Sequence, residues 1–288
     1  MTTDKRSMSS KAYLTIIRPA NCLIASVAVA IGGLVAVGDN ILQLPNLLDL
    51  VLAAIVVFLF VGAGNTLNDY YDHEVDMVNH PERPIPSGSL RRSRALAYAV
   101  ALFILTFILG ILINVESLLV IFLSAVIMVS YERKLKRRGL VGNLQISWLV
   151  GSLFLFGGLS VYDQEIEAII KVSILTLLAL LATLGREITK DIEDVKGDED
   201  RMTLPMAFGV AESAYFARVA YGIAILLSIA LYPAGVFGIL YLGVVVVANA
   251  VFIATMALVL RSPALSSDIS KVAMVMALAA FFVGAITT

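Results

Sequence analysis

The chain has 288 residues, of which 59% are hydrophobic and 15% charged, with a formal net charge of −1 and a single cysteine. Soluble domains carry about a quarter charged residues, so this balance excludes an ordinary water-soluble enzyme and describes an integral membrane protein. One cysteine excludes an intramolecular disulfide and a cysteine zinc site, and the near-zero net charge offers nothing in favour of nucleic-acid binding.

Lys5, Arg6, Lys11 and Arg18 precede an apolar run over 20–37. The run is long enough to cross about 30 Å of hydrocarbon as a helix, so it reads as an uncleaved first span and not a signal peptide. Cys22 within it reads as a small apolar helix residue. Further runs over 47–68, 95–114, 116–131, 142–161, 166–186, 211–232, 235–260 and 270–288 bring the expected spans to nine. Basic residues alternate between the ends of these runs. Arg83, Arg91, Arg92 and Arg94 follow span two, Arg133, Lys134, Lys136, Arg137 and Arg138 follow span four, Arg186, Lys190, Lys196, Arg201 and Arg218 surround the loop after span six, and Arg261 and Lys271 follow span eight. The opposite loops hold no Lys or Arg, with only Lys171 near that face. The positive-inside rule then predicts a cytoplasmic amino terminus and four cytoplasmic charged loops, with the carboxyl terminus outside.

Two acidic clusters sit on that cytoplasmic side. The first, Asn68-Asp69-Tyr-Tyr-Asp72-His73-Glu-Val-Asp76, closes span two; the second, Lys190-Asp191-Ile-Glu193-Asp194-Val-Lys-Gly197-Asp198, closes span six. On a helix Asn68, Asp72 and Asp76 fall at i, i+4 and i+8 and share one face, and Asp191, Asp194 and Asp198 fall at i, i+3 and i+7 and do the same. Three oxygen ligands on each of two facing helix ends suit Mg2+, which takes few protein carboxylates and fills its shell with water and phosphate oxygens. The expected metal ligands and catalytic groups are therefore Asn68, Asp72, Asp76, Asp191, Asp194 and Asp198, and the expected ligand is a diphosphate. Asp69, Glu193 and Asp200 point to other faces and are left out of the metal shell, and His73 and His80 look peripheral.

Each cluster leads to a Pro-containing turn, Arg83-Pro84-Ile85-Pro86 and Thr203-Leu204-Pro205. This correspondence suggests a single domain over 1–288 with an internal repeat, roughly 12–138 and 139–262, plus a last helix. Cations aimed at a departing diphosphate lower the barrier to its departure, and Arg18, Arg83, Lys134, Lys136, Arg137 and Lys190 lie on the correct side. Arg18 with Asn21, and Lys136 after Tyr131, stand at span ends and are favoured.

At these residues the chain resembles the UbiA superfamily of intramembrane prenyltransferases: Asn68-Asp69-x-x-Asp72-x-x-x-Asp76, then Arg83-Pro84-Ile85-Pro86-Ser87-Gly88, and a second aspartate cluster before Thr203-Leu204-Pro205. Arg18-Pro-Ala-Asn21-Cys22, Leu135-Lys136-Arg137 with Gly142-Asn143, Phe154-Leu-Phe-Gly157-Gly158 and Arg186-Glu187-x-x-Lys190-Asp191 are similar to its branch that makes archaeal-type ether lipids. The resemblance implies an all-α polytopic fold, nine helices in a ring around a central cavity open to lipid, capped by the charged loops. It implies Mg2+-dependent transfer of a geranylgeranyl group from its diphosphate to the hydroxyl of 3-O-geranylgeranylglyceryl phosphate, with no obligate protein partner. Under it, Tyr131 faces the prenyl cation, and Arg18, Asn21 or Arg83 holds the acceptor phosphate. Relatives use Asp-x-x-x-Asp in the second cluster, which fits Asp194 and Asp198 and leaves the role of Asp191 open. An aromatic acceptor is the alternative within the family. A cation-coupled transporter is the alternative from another class, and it would place ionisable groups at span centres, where this sequence has scattered Ser, Thr, Asn and Gln.

Overall fold

The computed structural model describes residues 10–161, 165–195 and 202–287. Its helices are α1 (Ser10–Ile16), α2 (Pro19–Val37), α3 (Leu44–Tyr71), α4 (His73–Asn79), α5 (Arg92–Ile111), α6 (Val115–Arg133), α7 (Gly139–Ser160), α8 (Ile166–Asp194), α9 (Leu204–Phe208), α10 (Val210–Ala230), α11 (Ile239–Leu258) and α12 (Pro263–Ile286). Among the described residues nine helices are long and apolar enough to cross a membrane, namely all but α1, α4 and α9. They correspond one to one with the nine apolar runs of the sequence.

Two of them outrun the apolar segment that announced them. α3 has 28 residues and α8 has 29, lengths of about 42 and 44 Å at the helical rise against about 30 Å of hydrocarbon. The turns at their ends carry Asn68 and Asp69 of the first acidic cluster, and Asp191 and Asp194 of the second, to the same end of the bundle. α12 begins at Pro263, earlier than its apolar run, because proline fits the first turn of a helix and Ser266 and Ser270 are buried there. The Ser266 hydroxyl donates to the Thr255 carbonyl of α11 at 2.9 Å.

Sequential spans pack side by side, and α12 returns to touch α2, so first and last spans close the ring. Where no hydrophobic force drives helix against helix in lipid, close backbone approach does. α2 and α7 meet in this way: a Cβ added at Gly32 would overlap the Phe154 carbonyl oxygen, and one at Gly157 the Val29 carbonyl oxygen. Gly151 repeats the device against α8, where a Cβ would lie 2.6 Å from the Thr176 carbonyl oxygen. In the largest apolar cluster Phe281 of α12 stacks with Tyr241 of α11 and meets Phe154 of α7 edge-on, and the Tyr241 hydroxyl donates to the Ser228 carbonyl at 2.8 Å.

The ring encloses a cavity of about 510 Å³, of the size that takes a small ligand. Every span except α5 contributes to its wall. Aliphatic and aromatic side chains line it, with Asn21, Asn65, Ser124, Ser152, Ser228 and Asn249 among them.

Candidate active site

The chain enters α2 through Arg18, whose φ of 52° and ψ of 72° make it the one non-glycine with positive φ among the described residues. A left-handed L-residue costs about 1 kcal/mol, and strain of this kind persists where surrounding contacts hold it. Here the Arg18 guanidinium is ion-paired through Nη2 with Asp69 of α3. The Asp69 side chain is only 2% exposed, and Arg83 Nη1 approaches the same oxygen at 3.7 Å. Asn65 adds a second tie between α3 and this corner, its Nδ2 donating to the Ile17 carbonyl at 2.8 Å.

At Asp72 the helix breaks. Asp72 takes φ −89° and ψ 7°, α3 stops at Tyr71, and α4 starts at His73. The Asp76 N–H still donates to the Asp72 carbonyl at 2.8 Å, so the spacing survives the break while the side chains diverge. Asp76 is buried and receives Arg83 Nη1 on both oxygens at 2.7 and 2.8 Å. Arg83 returns to it because the following turn closes on itself: Gly88 at φ 74° donates to the Ile85 carbonyl, Leu90 N–H to the Pro84 carbonyl, and Leu90 is buried as the anchor.

Asp72 belongs to a second network. Its carboxylate is ion-paired with Lys136 of the Leu135–Arg137 turn and accepts from Asn68 Nδ2 at 2.9 Å. Lys136 also donates to Glu132 at 3.1 Å, and Asn68 Nδ2 lies 3.1 Å from each Glu132 oxygen. The first cluster is thus two adjoining ion networks, Arg18–Asp69–Arg83–Asp76 and Asn68–Asp72–Lys136–Glu132.

The turn bearing Lys136 also reaches the second cluster. A Cβ at Gly142 would lie 2.8 Å from the Leu135 carbonyl oxygen and 3.3 Å from the Lys136 Cα. Next in sequence, Asn143 Nδ2 donates to Asp191 Oδ2 on α8 at 2.8 Å. Gly139 at φ 42° comes so near the Thr203 segment that a Cβ would lie 2.6 Å from the Met202 carbonyl oxygen. Lys190 lies 3.5 Å from Glu187, which also pairs with Arg186 at 2.6 Å. Asp194 ends α8 exposed, and Asp198 lies outside the described residues. Tyr131 is half-buried on α6 beside Glu132, and Asn21 lines the mouth-side wall of the cavity.

The structure therefore brings Arg18, Arg83, Asn68, Asp72, Asp76 and Lys136 together, ties Asp191 of the second cluster to Asn143, whose neighbour Gly142 packs against the turn bearing Lys136, and leaves Lys190 with Glu187. Among the described residues no three Asp, Glu, His or Cys side chains converge closely enough to hold a metal; amide and carboxylate oxygens as a donor set are nevertheless the hard ligands Mg2+ takes. Sequence reasoning missed three members. Asp69 points away from the face of Asn68 and Asp72, and its own face meets Arg18. Glu132 stood four residues before Lys136 at the end of an apolar run, which is the signal that would have found it. Asn143 stands in the Gly142-Asn143 pair of the resemblance, with no role attached to it there.

An all-helical bundle with an apolar cavity under a lattice of acids, lysine and arginines is the class of polytopic membrane enzyme that holds a long apolar chain by one end and a charged head by the other. The chain belongs to the UbiA prenyltransferase family, whose sequence pattern matches residues 23–283. It is 37% identical over 281 residues to the digeranylgeranylglyceryl phosphate synthase of Methanosphaera stadtmanae, covering 95% of this chain and 99% of that one. A solved structure of a digeranylgeranylglyceryl phosphate synthase in membranes superposes with a TM-score of 0.81 at 37% identity, covering 96% of this chain and 98% of that one. The Archaeoglobus fulgidus UbiA homologue, solved with GPP and Mg2+, shares the fold at a TM-score of 0.61 and 17% identity, covering 96% of this chain and 99% of that one.

Proposed function

We propose that this protein transfers the geranylgeranyl group of geranylgeranyl diphosphate to the free hydroxyl of 3-O-geranylgeranylglyceryl phosphate, releasing pyrophosphate, on the cytoplasmic side of the cell membrane. The observation that carries the reading is the junction of an apolar cavity with two cationic–acidic networks, in a chain alike over nearly its whole length to synthases of that lipid. Both substrates combine a twenty-carbon chain with an anionic head, so each needs a site at the boundary of lipid and water. The cationic loops support a cytoplasmic location by the positive-inside rule. The corresponding placement of α3 with α4 and of α8 with α9 supports the internal repeat.

The prenyl chain lies in the cavity and the diphosphate meets the Asp72 and Asp191 helix ends. Asn68, Asp72 and Asp76 on one side and Asp191, Asp194 and Asp198 on the other supply oxygen ligands for Mg2+, as the donor chemistry and the metal-bound fold relative suggest. When bound, Mg2+ neutralises charge that grows on the diphosphate as its carbon–oxygen bond breaks. Lys136 and Lys190 add cationic stabilisation at the same oxygens. A guanidinium has five donors, and the ion pairs of Arg18 and Arg83 engage one nitrogen each, so donors remain for the acceptor phosphate, with Asn21 beside them. Tyr131 presents its ring to the allylic carbon. The glycerol oxygen forms its bond to that carbon as the diphosphate oxygen leaves with the bonding electrons, and the hydroxyl proton passes to water at the open end of the site.

The test is incubation of purified protein with radiolabelled geranylgeranyl diphosphate and Mg2+, offering geranylgeranylglyceryl phosphate in one tube and 4-hydroxybenzoate in the other. A labelled two-chain ether lipid in the first tube alone is expected. A prenylated aromatic in the second would replace the acceptor, and no Mg2+-dependent transfer in either would overturn the reading.

A further inference from the structure

Glu132 stands outside every motif read from the sequence, yet its side chain is 4% exposed and touches two residues of the site. We infer that Glu132 is a positioning residue: it fixes which end of the Asn68 amide faces the metal and keeps this half of the site net negative while Lys136 is present. What the site binds rests on the function proposed above; the orientation of the amide does not.

An ionised carboxylate can only accept hydrogen bonds. Asn68 Nδ2 lies 2.9 Å from Asp72 Oδ2 and 3.1 Å from each Glu132 oxygen. Both amide hydrogens are therefore committed to acids, and the planar amide must present Oδ1 to the other side, as an oxygen ligand for a hard cation. With Glu132 uncharged, one of the two constraints on that orientation is lost. The charges make the second half of the argument. Asp72 and Glu132 contribute two negative charges and Lys136 one positive, leaving one negative charge in the network; without Glu132 it is neutral, and Lys136, now held by Asp72 alone, quenches the ligand a divalent ion needs. Groups that orient metal ligands in this way characteristically change metal affinity by about 10- to 100-fold when removed.

The experiment is a calorimetric titration of Mg2+ into full-length protein in detergent with inorganic pyrophosphate present, alongside the Mg2+ dependence of turnover. Glu132→Gln keeps the shape and should weaken Mg2+ binding at least about tenfold, with a larger effect on half-saturating Mg2+ than on turnover at saturating Mg2+. Asn68→Asp alone should weaken it too, because the side chain then has no hydrogen to donate to Asp72 or Glu132 and is no longer held in its orientation between them. Combining Asn68→Asp with Glu132→Gln exchanges acceptor and donor while keeping the network charge, and should recover at least about half of the lost affinity on a logarithmic scale, a coupling that a double-mutant cycle isolates. Melting curves of each variant establish that it is folded. Wild-type-like Mg2+ binding by Glu132→Gln, or a combined variant as weak as the sum of the two, would overturn the inference. Wild-type Mg2+ binding without any prenyl transfer would instead sink the function and leave the role of Glu132 standing.

Discussion

Asp69 and Asp72 lie three residues apart on the same stretch of chain, and they should fail differently. Asp72 shares its carboxylate with Lys136 and Asn68 at the open end of the site, so Asp72→Ala is expected to cut turnover at least about a thousandfold while the melting temperature in detergent moves little; retained turnover would remove Asp72 from the metal site. Asp69 is buried against Arg18 and Arg83, and removing its charge takes from Arg18 the ion pair that holds it to α3. Asp69→Asn should therefore lower the melting temperature visibly and raise KM for the acceptor phosphate, because the strained Arg18 corner loses its tether. An unchanged melting temperature would show that the pair carries no structural weight. The motif residues Asn68, Asp72, Asp76 and Asp191 stand out in the sequence because an amide and carboxylates at helical spacing beside an apolar run need a reason. Their partners were not. Pairing Asp69 with Arg18 requires two spans to be side by side, and placing Glu132 between Asn68 and Lys136 requires a third, information that spacing along one helix does not hold.

At the scale of the helices, nine apolar runs foretold nine spans, since a length of about twenty apolar residues has few other uses. The ends were less legible: α3 and α8 continue past their apolar runs because the polar turns find partners on neighbouring elements. The short helices α1, α4 and α9 have no apolar period long enough to announce them. Contacts between spans depend on glycine placement, which hydropathy does not register. Gly157→Val would drive a side chain into the Val29 backbone of α2, and backbone cannot step aside cheaply; the variant should be lost as folded protein on size-exclusion chromatography, whereas Gly222→Ala, where the nearest atom to an added Cβ is the flexible end of Met256 at 3.9 Å, should elute like wild type. The cavity offers a second prediction. Ala28 lies on its wall two helical turns below Asn21, so Ala28→Phe should shorten the space for the prenyl chain, lowering kcat/KM for the twenty-carbon diphosphate at least tenfold while sparing the fifteen-carbon one. An equal loss for both would mean that the chain runs elsewhere.

For the molecule as a whole, the orientation proposed from the basic loops is directly measurable. Cys22 is the single cysteine of the chain and is buried, so one engineered cysteine reports alone. Arg138→Cys should react with a membrane-impermeant maleimide only in inside-out vesicles, and Asp39→Cys, in the exposed turn after α2, only in right-side-out ones. The reverse pattern would place the site outside.

The overhang of α3 and α8 also bears on traffic. With the reacting bond held above the hydrocarbon and the carbon chains below it, the two products are sorted at birth: pyrophosphate faces water along the bundle axis, while the ether lipid already lies within the bilayer. Neither has to pass the other. On the proposed chemistry, reversal needs both products to meet again at one site, and dilution or hydrolysis of pyrophosphate in the water phase draws the transfer forward while the lipid stays in the bilayer.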